Sequence, residues 1–200
     1  MLRKAVVICL TGGVLLGAAA SAAPFSTVIV DAGHGGKDKG SLWGGVRESN
    51  LNLAVAKDLE VLLKKRGIRT VMTRRSDVFI SLQRRVDIAN AQRNAVVVSI
   101  HFNASRATSV RGAETYYWSP AGKVLANAIQ RRLAPRLGTR NRGIHRKGYK
   151  MILSPRHTAV LVECGFISNP TERRRCSTRS YQQTTAKAIC DGLIAWRAVR

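Results

Sequence analysis

Acid is what this chain is short of. Of its 200 residues, 11 are Asp or Glu and 34 are Lys or Arg, a formal net charge of +23. From Thr115 to Val162 there is no acidic residue, but there are ten basic ones. A field of this sign excludes cationic partners and favours polyanions or anionic surfaces. Aromatic residues are also scarce, and none is interleaved with basic residues in the manner of a nucleic-acid-binding surface. The partners expected for the basic surface are therefore anionic envelope polymers or lipid headgroups, with no nucleic acid. A merely solvated basic surface is the bland alternative. No Gly-x-Ser-x-Gly elbow occurs, which removes the commonest serine-hydrolase reading. There is no internal repeat, no low-complexity segment and no composition shift that would mark a second domain, so one domain and a monomer are expected.

Long apolar runs are absent after residue 22. Before it, Arg3 and Lys4 precede a small-and-apolar stretch from Ala5 to Ala20, and Ala20-Ser21-Ala22 has the form of a cleavage site. Residues 1–22 thus read as a secretory signal peptide, with a retained membrane anchor as the alternative. Cleavage removes Arg3 and Lys4 and no acid, leaving +21. The mature chain is expected to be exported, to the periplasm or cell wall of a bacterium. It keeps three cysteines, an odd number, so at least one thiol stays free. A Cys176–Cys190 bridge is compatible with an oxidising compartment; three small buried hydrophobes are the equal alternative.

What is present alternates between two patterns. Short β-branched runs suited to strands buried on both faces cover Thr27–Asp31, Ile68–Thr73, Ala95–Ile100 and Thr158–Glu163. Period-2 spacing adds a strand over Gly112–Trp118 and a short one over Tyr149–Leu153. Helical spacing covers Asn50–Arg66, started by Ser49 or Asn50 and ended by Gly67, and Ser81–Gln92, capped by Ser81. A third helix runs from Pro120 or Ala121 to about Leu137, bent or ended by Pro135, and a closing one covers Tyr181–Arg197. Gly138–Lys150 reads as a basic loop. Strand–helix–strand repetition predicts an α/β fold: one domain, a mixed, mainly parallel sheet, and helices on both faces.

Three of the apolar runs end on residues suited to metal chemistry: His34, His101 and Glu163. Open α/β sheets bind ligands beyond the carboxyl ends of their strands, and the chain has only four His. A catalytic zinc keeps three protein ligands and an open fourth position. His34 and His101 supply two. The third is expected from Glu48, in the loop after Gly35–Gly45, with Asp31 and Asp38 as rivals. Asp31 fits better as a brace for the His34 loop, and Asp38 as a solvated loop acid. Glu163 is then free to act as general base and acid, its proton affinity raised by desolvation. Cys164 should point opposite Glu163, into packing, by strand alternation. His145 and His157 read as loop residues, His157 near enough to Glu163 to touch substrate. Asn103 is a candidate substrate contact.

At these positions the chain resembles the zinc-dependent N-acetylmuramoyl-L-alanine amidases of the third amidase family, the division-type cell-wall amidases. The similarity is carried in order by Val28-Ile29-Val30-Asp31-Ala32-Gly33-His34-Gly35-Gly36, Arg47-Glu48-Ser49-Asn50-Leu51-Asn52-Leu53, Leu82-Gln83-Arg84-Arg85-Val86-Asp87-Ile88-Ala89-Asn90, Ser99-Ile100-His101-Phe102-Asn103-Ala104 and Leu161-Val162-Glu163-Cys164-Gly165-Phe166-Ile167-Ser168-Asn169-Pro170. The resemblance implies a catalytic domain over residues 26–198. It also implies one zinc per chain held by His34, Glu48 and His101, catalysis by Glu163, and peptidoglycan as substrate, cut between N-acetylmuramic acid and L-alanine. Some members carry a helical insertion between the second zinc histidine and the catalytic glutamate that blocks the site. Here only 62 positions separate His101 from Glu163, so an unblocked site is expected. A zinc peptidase of the same wall peptide and a non-catalytic wall- or polyanion-binding module are the competing readings.

Overall fold

A computed structural model describes residues 25–198; the signal-peptide expectation falls outside them. The chain enters the fold through β1 (Thr27–Ala32), which is buried at every residue. A small hairpin, β2 (Leu42–Trp43) and β3 (Val46–Arg47), leads into α1 (Glu48–Lys64). Then come β4 (Arg69–Met72), α2 (Leu82–Asn90), β5 (Ala95–Asn103), β6 (Ala113–Tyr117) and α3 (Pro120–Leu137). The remainder is β7 (Asn141–Arg146), α4 (Lys150–Leu153), β8 (Thr158–Phe166), α5 (Pro170–Cys176) and α6 (Arg179–Ala198).

Six strands form one sheet in the order β4-β1-β5-β8-β6-β7. The first four are parallel, β6 is antiparallel to β8, and β7 runs parallel to β6. The mixed, mainly parallel sheet is thus as the sequence pattern predicts. The two faces sort by alternation. Val30, Val98 and Val162 pack with Leu59 of α1, Ile129 of α3 and Ile189 of α6. On the other face Ile29, Val97 and Leu161 pack with Val86 of α2 and with Met151 and Ile152 of α4. Each fully buried Val or Ile here contributes about 1.5–3 kcal/mol relative to exposure, which is why the β-branched runs became the central strands. Among the described residues no helix is long and apolar enough to cross a membrane.

Several local expectations are corrected. The stretch Gly138–Lys150 is not all loop: Asn141–Arg146 pairs along the edge of β6. Its single aliphatic residue, Ile144, leaves no strand periodicity to read, and the pairing comes from the neighbour. Tyr149–Leu153 is not a strand; Lys150–Leu153 is one helical turn, held by Met151 and Ile152 in the core. Pro135 does not end α3, which continues to Leu137 and is closed by Gly138 in the left-handed region (φ 53°). Neither Ser49 nor Asn50 starts α1, whose N-cap is Arg47. Cys164, Cys176 and Cys190 are all free and buried, so the Cys176–Cys190 bridge is not formed. Ser81 does cap α2, accepting from the Arg84 amide.

Candidate metal centre

His34 lies two residues past the end of β1, in the left-handed region at φ 60°. A non-glycine residue is held there only where its surroundings over-determine it. Two buried guanidinium groups do so by gripping carbonyls at the end of β1 and just past it. Arg85 donates to Ala32 O at 2.6 Å and His34 O at 2.6 Å. Arg74 donates to Ala32 O at 2.9 Å and Gly33 O at 2.9 Å. Asp31 anchors Arg85 through a 2.7 Å ion pair and also accepts from Thr73 and Ser99. Burial alone would raise the Asp31 carboxyl, but the Arg85 charge and these hydrogen bonds hold it below its usual value. Asp31 is thus a brace and not a ligand, as its place on the strand suggests.

Glu48 does not come from a loop. It is the first residue of α1, so the β2–β3 hairpin turns its carboxylate back toward the sheet. Its Oε1 lies 3.2 Å from His34 Nε2 and 2.8 Å from His101 Nδ1. Its Oε2 accepts from the Ser41 amide at 2.8 Å. The three donor atoms of His34, Glu48 and His101 all fall within 4.8 Å of one another. The imidazoles meet edge-on, centroids 5.0 Å apart. The set suits zinc: two imidazole nitrogens and a carboxylate oxygen, with room for a fourth position. Burial raises the Glu48 carboxyl, but hydrogen bonds from both imidazoles more than offset this and hold it well below its usual range. Burial disfavours the His34 cation, yet its bonds with Glu48 and Asp38 raise its pKa to about 8. Both imidazoles remain partly open to solvent, His34 at 27% and His101 at 16%.

Asp38 is an exposed loop acid, as expected, but it also engages the first imidazole. Its Oδ2 lies 2.8 Å from His34 Nδ1. With Asp38 accepting, that nitrogen carries the proton and Nε2 is left as donor toward a metal. Gly33 matters for the other imidazole: a Cβ there would lie 2.2 Å from the His101 ring.

Strand register brings Glu163 to the site. His101 and Glu163 are neighbours across β5–β8, and Glu163 and Glu114 are neighbours across β8–β6. Register partners on paired strands project to the same face, so His101, Glu163 and Glu114 stand in a row. His101 and Glu163 lie within their strands, which continue to Asn103 and Phe166. Glu163 is buried, and its Oε2 has no hydrogen-bond partner among the described residues. Burial first, then the charges of Glu48 and Glu114, push its carboxyl well above the usual range. Cys164 faces the opposite core, and burial and the Glu163 charge raise its thiol well above normal, as expected of a packing residue.

The other candidates have partners of their own, Asn103 within the site and His157 outside it. Asn103 donates to Glu114 Oε1 at 2.9 Å and accepts from the Ala104 amide. His157 ties to Ala89 O of α2 at 3.1 Å. His145 is a β7 residue, not a loop residue. The sequence reading passed over Glu114, Arg74 and Arg85 as parts of the site. Glu114 had a signal, being the last acid before the long basic stretch and lying on a strand pattern.

The family model described as N-acetylmuramoyl-L-alanine amidase matches residues 28–195. The N-acetylmuramoyl-L-alanine amidase LytC of Bacillus subtilis (strain 168) is 36% identical over 174 residues, 85% of this chain. The chain spans only 35% of LytC's length. Among solved structures, the catalytic domain of CwlV, an N-acetylmuramoyl-L-alanine amidase from Bacillus (Paenibacillus) polymyxa var. colistinus, superposes with a TM-score of 0.84 at 35% identity, covering 88% of this chain and 100% of that one. An N-acetylmuramoyl-L-alanine amidase from Clostridium difficile 630 gives 0.82 at 34% identity, covering 86% and 97%.

Proposed function

Since the chain belongs to the Amidase_3 family of N-acetylmuramoyl-L-alanine amidases, we propose that it is a zinc-dependent hydrolase of peptidoglycan, cutting the amide between N-acetylmuramic acid and L-alanine in an exported, cell-wall setting. The observation that carries this reading is the convergence of His34, Glu48 and His101 beside a buried Glu163 whose Oε2 has no partner among the described residues. His34 Nε2, Glu48 and His101 Nδ1 would hold the ion. When bound, zinc would supply a Lewis-acid centre that acidifies water and polarises a carbonyl.

The remaining chemistry belongs to the chain's own residues. Glu163 takes a proton from the attacking water and returns it to the leaving nitrogen, as the C–N bond breaks and a C–O bond forms. Its raised proton affinity suits the first half of that cycle, because a very weak base could not take a proton from water, and it keeps the proton on Glu163 until the leaving nitrogen, a stronger base, accepts it. Asp38 fixes the His34 ring, and Gly33 leaves room for the His101 ring. Asn103, two residues beyond His101, is the proposed substrate contact nearest the metal ligands. Anionic wall polymers or lipid headgroups would meet the basic surface.

Digestion of purified peptidoglycan tests the reading. Release of free L-alanine amines with intact muramic acid, abolished by a chelator and restored by zinc, supports it. Cuts within the stem peptide favour a zinc peptidase, and the absence of cuts favours a wall-binding module.

A further inference from the structure

The row His101, Glu163, Glu114 has two unlike flanks. On the His34 and His101 side lies a cleft of about 430 Å³ whose wall includes both imidazoles, the apolar Phe79, Ile80, Leu82 and Met151, and the ion-paired Asp31, Asp38 and Arg85. Beside Glu114, over the paired strands β6 and β7, lies a cleft of about 470 Å³ lined by Arg140, Arg142, His145, Arg146 and Lys147. Both volumes are in the range of small-ligand sites. The flanks differ in charge.

Glu114 does not neutralise the second cleft. It accepts from the Tyr116 hydroxyl at 2.7 Å, the Asn103 amide at 2.9 Å and Arg142 Nε at 2.8 Å, with His145 Nε2 3.8 Å away. Its charge is therefore answered by Arg142. Three cations remain, and among the described residues Arg140, Arg146 and Lys147 pair with no carboxylate. Arg146 is held in place, stacked 4.1 Å over Trp118 while its Nε donates to Trp118 O at 3.2 Å. Lys147 Nζ sits 4.7 Å from the Tyr149 ring centre. The Lys147 charge reaches the catalytic carboxyl, partly opposing the burial that raises Glu163.

The scissile amide also has unlike halves. On the acyl side is a sugar, uncharged once its lactyl carboxyl is tied up in the amide. On the amine side is a peptide, and a peptide ends in a carboxylate. Glu163 must return its proton to the leaving nitrogen, so the amine half lies on the Glu163 flank of the metal ligands. That is the β6–β7 side. The opposite cleft is mainly apolar, and each cationic group in it already faces a carboxylate: Arg85 faces Asp31, His34 faces Asp38 and His101 faces Glu48, so it offers a carboxylate no unanswered cation.

We propose that the β6–β7 cleft is a peptide-carboxylate subsite, in which Arg140, Arg146 and Lys147 bind the anionic end of the stem peptide and set the direction in which substrate crosses the site. The assignment rests on the amidase reading above. It gives part of the basic surface a specific ligand and a specific place.

The test compares two soluble N-acetylmuramoyl-L-alanyl peptides, identical except that the peptide carboxyls are free in one and carboxamides in the other. The zinc-loaded enzyme should favour the free acid by about tenfold or more in kcat/KM, the worth of one charge-assisted contact. In an Arg140→Gln, Lys147→Gln double variant that ratio should fall toward one, with the change in KM rather than kcat. Both side chains are exposed, so the substitutions leave the core alone. Equal kcat/KM for the two substrates in the unaltered enzyme, or a preference retained in the double variant, overturns the subsite while leaving the amidase reading intact. If neither substrate releases an L-alanyl amine, the amidase reading fails and the subsite with it.

Discussion

Asp38 and His34 are joined at 2.8 Å through Oδ2 and Nδ1, four residues apart across a turn of glycines. This contact turns the other nitrogen of His34 toward Glu48 and His101. Replacing Asp38 by Ala removes the orienting acceptor. Zinc affinity should fall by about 10–100-fold, the usual cost of such a partner, with little change in unfolding midpoint because Asp38 is exposed. Competition against a chelator of known affinity measures it; unchanged affinity would show that the ring is held by its backbone alone.

Gly33→Ala tests the space beside the second imidazole. A Cβ within 2.2–2.8 Å of three His101 ring atoms has to displace that ring. The φ of Gly33 is not in the left-handed region, so backbone strain is not the reason for the glycine. Weaker zinc binding with the fold retained is expected. A zinc-loaded crystal structure of the variant with the His101 ring unmoved would refute this.

Glu163→Gln separates binding from turnover. The side chain is not among the three donors that converge, so zinc stoichiometry should stay at one per chain. Turnover on peptidoglycan should drop by about 10²–10⁴-fold, the contribution of a positioned acid–base group. Retained turnover would remove Glu163 from the mechanism.

The same variant carries a pH signature. The Glu163 carboxyl is raised in the folded protein by burial and by Glu48 and Glu114. The folded state therefore binds its proton more tightly than the unfolded state. Stability from this residue is fully present below the ordinary carboxylate range and is lost as pH rises above it. In metal-stripped protein, Glu163→Gln should be more thermostable than the unaltered chain at neutral pH, with the gap closing toward pH 4. Parallel melting curves across that range would contradict the shift.

Arg85→Leu should be strongly destabilising. The guanidinium is 3% exposed, pairs with Asp31 and holds two carbonyls of the His34 turn. Its removal leaves a buried carboxylate without its cation, at a cost of about 3–5 kcal/mol. Urea denaturation would register this as a lower midpoint, and zinc affinity should fall with it. An unfolding free energy within about 1 kcal/mol of the unaltered protein would show that Thr73 and Ser99 suffice to hold Asp31.

The central strands were legible because they are buried on both faces and so are uninterrupted apolar runs. The long helices were legible from their 3.6-residue spacing. β7 was not, since only Ile144 is aliphatic and the strand exists by pairing with β6. α4 is one turn, too short for any period. α5 did leave a signal in Asn169-Pro170-Thr171-Glu172, where Asn169 caps the helix and Pro170 opens it.

Residue chemistry along the chain determined which groups could bind a metal or carry a proton: His34, His101 and Glu163 each follow a short β-branched run that reads as a buried strand. It also determined the excess of positive charge. Only the tertiary structure decided how those groups meet. Register across β5, β8 and β6 sets His101, Glu163 and Glu114 abreast, the hairpin before α1 returns Glu48, and the β6–β7 edge gathers cations scattered through a stretch that reads as loop. The reason is physical: local periodicity follows from nearest neighbours, whereas register and edge pairing are settled by contacts between segments far apart in sequence, which no short stretch encodes alone.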